Sequence, residues 1–142
     1  MLESKISCVL LADRHHGMSE AVRGLLATLF ETVVMVADEQ SLLESAPRLQ
    51  PEVAVVDLSL TRGSSLRWLG DLRACCPELK VIVLSVHDEQ SVRSAALEAG
   101  ADAFVLKRTM ATDLLTAVEA LRPGSSVDAF SDERRPAAIA EG

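Results

Sequence analysis

Four polar side chains stand at the ends of four short apolar runs. Asp13 follows ISCVLLA, Asp57 lies in VAVVDL, Ser85 closes KVIVLS and Lys107 closes AFVLK. Carboxylate oxygens suit a hard cation such as Mg²⁺, which keeps several waters and takes few protein ligands. A carboxylate can also act as a nucleophile and become an aspartyl phosphate. A phosphoryl group adds about −1.5 to −2 charges. Lys107 could meet that charge with its ammonium, and Ser85 could donate a hydrogen bond. At 4 Å a unit charge pair is worth about 4 kcal/mol at an effective dielectric of 20, enough to draw a hydroxyl-bearing loop between two arrangements. Singly, each residue has a plainer reading: an aspartate at a strand end often caps a helix, and a lysine there is often solvated. What gives the set meaning is a fold that brings all four to one edge.

The chain predicts such a fold. Five runs, ISCVLLA from Ile6, VVMVA from Val33, VAVVDL from Val53, KVIVLS from Lys80 and AFVLK from Ala103, are short and nearly continuous in Val, Ile and Leu. Unbroken apolar runs belong to strands covered on both faces, as parallel sheets are. Between them lie patterns at helical spacing: Met18, Val22, Leu25, Leu26 and Leu29; Leu42, Leu43, Ala46 and Leu49; Leu66, Leu69 and Leu72; Val92, Ala95, Ala96 and Ala99; Leu114, Leu115, Val118 and Leu121. Pro51, Pro77 and Pro123-Gly124 close three of these patterns, and Gly100 reads as a left-handed cap. Alternating strands and helices imply right-handed crossovers and a single α/β domain. The expected architecture is a flavodoxin-like (βα)5 three-layer domain with a parallel sheet ordered 2-1-3-4-5. Ligands of such sheets sit beyond the carboxyl ends of the strands, where the order reverses. Asp13, Asp57, Ser85 and Lys107 all fall there.

Composition narrows the classes. The 142 residues fit one domain, with residues 1–122 as the folded unit and 123–142 as a polar, aperiodic tail or truncated linker. A net charge of −7 argues against DNA or an acidic membrane as a default partner. Arg134-Arg135 is too short a basic run to change that. The three cysteines, Cys8, Cys75 and Cys76, suggest no disulfide framework, since the number is odd and two are adjacent. They read as reduced thiols of a cytoplasmic protein, with Cys8 a buried small hydrophobe. The apolar run at Ile6 is too short to span a membrane and lacks a signal-peptide cleavage site.

These residues carry a family resemblance. LLADRHHGMSEAVRGLL, PEVAVVDLSL, KVIVLSVHDEQ and ALEAGADAFVLK together resemble the receiver domain of bacterial two-component response regulators, in its NarL/FixJ-like subgroup. The likeness runs from about Ile6 to Leu121. It implies that Asp57 is the phosphoacceptor and Lys107 its charge partner. Ser85 takes the place of the switch hydroxyl, and Phe104 that of the aromatic that changes rotamer with it. Asp13 and Asp57, with the backbone carbonyl of Ser59, take the places of the Mg²⁺ ligands. It also implies a histidine kinase or phosphotransfer protein as partner, a possible homodimer, and an output domain carried elsewhere.

Three departures stand out. Arg14 replaces the second acid of the family's metal-binding pair, Thr61 stands where a proline is usual, and Ser65 replaces a glycine. Asp13, Asp57, Arg14 and Lys107 therefore sum to zero charge, where the family site sums to −2. Whether Arg14 points inward as a substitute cation or outward as a lost ligand, Mg²⁺ affinity should fall, because ligand charge drives it.

Other polar residues have plainer readings. His15 and His16 are neighbours in a loop and poorly placed to chelate one ion. His87, beside Asp88 and Glu89, reads as a solvated loop residue close enough to Ser85 to tune it. Trp68 reads as packing, with a half-exposed partner-binding role as the alternative.

The leading function is a non-enzymatic signalling receiver that switches a partner or dimer surface near Ser85 and Phe104. The alternative is a phosphorylation-impaired pseudo-receiver acting as a protein–protein interaction module. A flavin or nucleotide enzyme is disfavoured: ADRHHGMSE contains no glycine-rich phosphate cradle, and no tyrosine is present to stack on a flavin.

Overall fold

The computed structural model describes residues 6–14, 16–60 and 66–121. The strands are β1 (Ile6–Ala12), β2 (Phe30–Val36), β3 (Val53–Asp57), β4 (Lys80–Ser85) and β5 (Ala103–Leu106). The helices are α1 (His16–Leu26), α2 (Glu39–Leu49), α3 (Arg67–Cys75), α4 (Gln90–Ala99) and α5 (Met110–Leu121). All strand pairs are parallel and the sheet order is β2-β1-β3-β4-β5, the expected one. Residues Thr61 and Ser65, His15, Arg134-Arg135 and the 123–142 tail lie outside the described residues.

The alternation of side chains along each strand divides the interior in two. Leu10, Ala12, Ala54, Val56, Val81 and Val83 face α2, α3 and α4, where they meet Leu42, Leu69, Leu72 and Ala96. Val9, Leu11, Val53, Val55, Ile82 and Leu84 face α1 and α5, where they meet Val22, Leu26, Leu114 and Val118. Every residue of β3 is buried, which explains its unbroken apolar run. β2 departs from that expectation, with Glu31 and Thr32 exposed, because it is the edge strand and has one neighbour.

Helix ends are fixed locally. Asp38 caps α2, its carboxylate accepting from the Ser41 N–H at 2.7 Å. That hydrogen bond to the ionised form holds the Asp38 carboxyl below its ordinary range. Gly100 ends α4 at φ 124°, a conformation that disfavours a side chain. A Cβ there would also stand 3.1 Å from the Arg73 side chain. Arg73 itself joins α3 to the sheet, donating to the Leu79 carbonyl and pairing with Asp102 at 2.9 Å. The same Asp102 oxygen accepts from the Val81 N–H at 2.8 Å.

Trp68 is buried at 1% exposure against the α2–α4 face, which removes the half-exposed alternative. Its indole lies two residues off the apolar stripe but still points inward at the first turn of α3. Cys8 is only half-buried, near the start of β1, where its N–H donates to Glu52 at 3.1 Å. No helix among the described residues is long and apolar enough to cross a membrane.

Candidate functional site

Register brings the polar strand ends together. Ala12 lies opposite Val56, so Asp13 and Asp57 occupy the next rung of β1 and β3. Asp57 lies opposite Leu84, and Ser85 opposite Leu106, so Ser85 and Lys107 follow one rung further out. The Asp13 N–H is anchored on the Val36 carbonyl at 3.1 Å. Lys107 opens a short 3₁₀ turn (Lys107–Thr109) that swings its side chain back over the sheet edge.

The three charged groups at the centre are almost wholly buried. Side-chain exposures are 0% for Asp13, 3% for Asp57 and 7% for Lys107. Lys107 Nζ donates to Asp57 Oδ2 and stands 3.7 Å from Asp13 Oδ2. Asp57 Oδ1 accepts from the Ser59 N–H at 2.9 Å, which fixes the carboxylate plane. Two buried carboxylates are costly unless paired, so Lys107 serves the fold as well as any chemistry.

Arg14 lies at the rim of the site. It is exposed, yet its guanidinium reaches across from the end of β1 to the 3₁₀ turn (Leu58–Leu60) after β3, where Nη1 donates to the Ser59 carbonyl at 3.3 Å. Both partners were identifiable in the sequence, but their meeting was not. It matters because the carbonyl that the family resemblance gives to the metal accepts from a cation of the protein itself. Asp13, Asp57 and the Ser59 carbonyl are hard oxygen donors of the right chemistry for Mg²⁺. The set falls short of a full fit: there is no second carboxylate beside Asp13, and Arg14 engages the carbonyl. Among the described residues no group of three His, Cys, Asp or Glu side chains forms a metal cluster.

Ser85, 1% exposed, turns toward the following loop. Its hydroxyl accepts from the His87 N–H at 2.9 Å and donates to the His87 carbonyl at 3.2 Å. The His87 ring is exposed, 3.8 Å from Glu89. Phe104 is 8% exposed, with the Arg93 guanidinium of α4 4.9 Å from its ring centroid. Asp88 pairs with Arg108 at 2.7 Å, so the β4–α4 loop is tied to the turn after β5. Chiefly through that hydrogen bond, Arg108 holds the Asp88 carboxyl below its ordinary range. The cation–π stack and the Asp88–Arg108 tie escaped sequence reading, since neither pairing has a local spacing signal.

The chain as a whole is similar to known proteins. A family model described as the response regulator receiver domain matches residues 9–119. The chain is 31% identical over 126 residues to the transcriptional regulatory protein DegU of Brevibacillus brevis, covering 87% of this chain and 53% of that protein. It is 35% identical over 121 residues to the nitrate/nitrite response regulator NarP of Escherichia coli, covering 84% and 56%. It thus spans about half the length of these curated relatives. Among solved structures it resembles the receiver domain of NarL from Mycobacterium tuberculosis, with TM-score 0.73, 26% identity, and 82% and 94% of the two chains covered. It also resembles the isolated receiver domain of RcsB from Salmonella enterica, solved in the presence of phosphomimetic beryllofluoride, with TM-score 0.75, 27% identity, and 85% and 91% covered.

Proposed function

The chain belongs to the response regulator receiver family, and from that premise we propose that Asp57 accepts a phosphoryl group and that Arg14 takes over part of the work of a divalent cation. The observation that carries the reading is the buried Asp13–Lys107–Asp57 cluster, with Ser85 one rung away. In the transfer, an Asp57 carboxylate oxygen attacks the donor's phosphorus, and the bond from phosphorus to the donor's nitrogen or oxygen breaks. Lys107 then meets the new charge. Ser85 leaves the His87 backbone for a phosphoryl oxygen, and Phe104 follows it inward. Mg²⁺, if bound by Asp13, Asp57 and the Ser59 carbonyl, would neutralise phosphoryl oxygens. Arg14 brings a positive charge to the same carbonyl.

The domain acts as a signalling element, with self-phosphorylation from a donor and self-dephosphorylation as its only chemistry. A histidine kinase or phosphotransfer protein supplies the phosphoryl group. A homodimer, or an output domain, reads the surface near Ser85 and Phe104. Asp57 is nearly buried, so the donor reaches it only when covering side chains part. Arg14, spanning from the end of β1 to Ser59, bridges the two segments that flank it.

Incubation with acetyl phosphate, with and without Mg²⁺, followed by intact-mass spectrometry, tests the assignment. One phosphoryl addition is expected, and it should be absent in Asp57→Asn. A wild-type chain that gains no phosphoryl group under either condition shifts the reading to a phosphorylation-independent interaction module. The Arg14–Ser59 hydrogen bond is the specific observation in favour of that second reading.

A further inference from the structure

Lys80 pairs with Val53, at the far end of β3 from Asp57. There, two adjacent cysteines end α3. Cys75 is its last residue and Cys76 its cap. Cys75 Sγ and Cys76 Sγ stand 3.4 Å apart; Cys75 is exposed and Cys76 half-buried. Both line a groove of about 590 Å³ whose apolar walls include Pro47, Pro51, Leu79 and Leu121.

Two sulfurs this close can grip one soft atom. With a bond of about 2.3 Å to each sulfur, as zinc makes, the 3.4 Å separation sets an S–metal–S angle of about 95°; a tetrahedral ion would need roughly 3.8 Å. The spacing therefore favours a pyramidal centre with bond angles near a right angle. Among the described residues no third Cys, His, Asp or Glu joins the pair to make a metal cluster. An occupant held by these two sulfurs alone brings its own third substituent, and the groove beside the sulfurs offers it apolar cover. We infer that Cys75 and Cys76 form a two-thiol chelating site for a monosubstituted trivalent arsenical, whose organic substituent lies in the groove.

The local electrostatics separate this chemistry from peroxide sensing. Reactive cysteines sit at helix N-termini or beside cations, where the thiolate is favoured. These two sit at a helix C-terminus, whose partial negative charge disfavours a thiolate. Burial, and then the hydrogen bond shared with Cys75, push the Cys76 thiol up to about 11. Condensation with an arsenic(III) dihydroxide needs no preformed thiolate and no oxidant. Two As–S bonds replace two As–O bonds, each thiol proton leaves with a hydroxide as water, and arsenic stays trivalent.

The site is independent of phosphoryl transfer and is tested separately. The full chain is titrated with phenylarsonous acid, followed by intact mass and by the number of thiols still open to a disulfide reagent. The expected result is one phenylarsenic adduct formed with loss of two waters. Titratable thiols fall from three to one, leaving Cys8, and a dithiol competitor reverses the change. Cys75→Ser and Cys76→Ser should each weaken binding by about a hundredfold, the advantage of a second bond made within one molecule. Cys8→Ser should bind as wild type. Circular dichroism of each variant confirms the fold, and the wild-type thiol count stands even if a serine variant misfolds. Three thiols still titratable at saturating reagent, or full affinity in either folded serine variant, overturns the inference.

Discussion

Restoring an acid at position 14 should tighten Mg²⁺ binding, and the size of the effect follows from the geometry. Arg14→Asp takes the site from zero to −2 and removes the guanidinium that now stands 3.3 Å from the Ser59 carbonyl. A separation of about 4 Å between the cation and either side chain, the span of a close ion pair, sets the scale. Arg14 is exposed, so the water-like limit applies, about 1 kcal/mol per pair of unit charges at that distance. A divalent ion and a two-charge change multiply this to about 4 kcal/mol, which salt at 0.1 M then trims. Keeping half, about 2 kcal/mol, gives roughly thirtyfold tighter Mg²⁺, with Arg14→Ala near fivefold. Amide NMR shifts at Asp13, Asp57 and Ser59 during a Mg²⁺ titration report the dissociation constant directly. Phosphorylation from acetyl phosphate should also change character. It should depend little on Mg²⁺ in the wild type and strongly in Arg14→Asp. An aspartate variant that binds Mg²⁺ no tighter than wild type would refute the reasoning, since the guanidinium would then have no influence on the carbonyl it bonds.

Three further outcomes follow from single contacts. Lys107→Met leaves Asp13 and Asp57 buried without their shared cation and should cost about 3 kcal/mol in urea denaturation at neutral pH. The Asp88 carboxyl, held low by Arg108, contributes stability above its unfolded pKa and loses it as pH falls through its lower folded value; Arg108→Ala should return it to the ordinary range in a carboxyl NMR titration. Trp68 is buried and, among the described residues, its Nε1 has no hydrogen-bond partner, so its fluorescence should be blue-shifted and insensitive to iodide until unfolding.

The sheet was legible because its strands are nearly continuous apolar runs, a pattern that only burial on both faces explains. β1 and β4 match their runs residue for residue, and the order 2-1-3-4-5 is the common one for a doubly wound sheet of five strands. β2 was read to begin three residues late, at Val33, and to end one late, at Ala37, since Glu31 and Thr32 are exposed polar residues of an edge strand and break the apolar run. Asp13, Asp57, Ser85 and Lys107 were legible as a set because the register of parallel strands fixes where each run ends. The reach of the long side chains was not. Arg14 to Ser59, Arg93 to Phe104 and Arg108 to Asp88 join residues brought close only by the tertiary fold, and a flexible side chain leaves no periodic mark in the sequence.

Charge counting links Arg14 to the switch. On the proposed assignment, a family site after transfer holds two acids, a lysine, a phosphoaspartate of about −2 and a divalent cation, a total near −1. This site holds Asp13, Arg14, Lys107 and the same phosphoaspartate, and also totals near −1. Exchanging an acid for arginine adds two positive charges, the same amount that the cation contributes. The arginine differs in where it delivers them. Its guanidinium is tethered at Ser59, outside the buried cluster, whereas a divalent ion would be held by Asp13, Asp57 and the Ser59 carbonyl. On the proposed assignment the long-range balance of the phosphorylated state is kept, while a cation held inside the cluster, which would speed transfer and hydrolysis, is disfavoured. The wild type should therefore phosphorylate slowly yet hold its phosphoryl group long, and Arg14→Asp with Mg²⁺ should accelerate both steps. A phosphorylated wild type that decays faster than Arg14→Asp in Mg²⁺ would show that the arginine does not stand in for the cation at all.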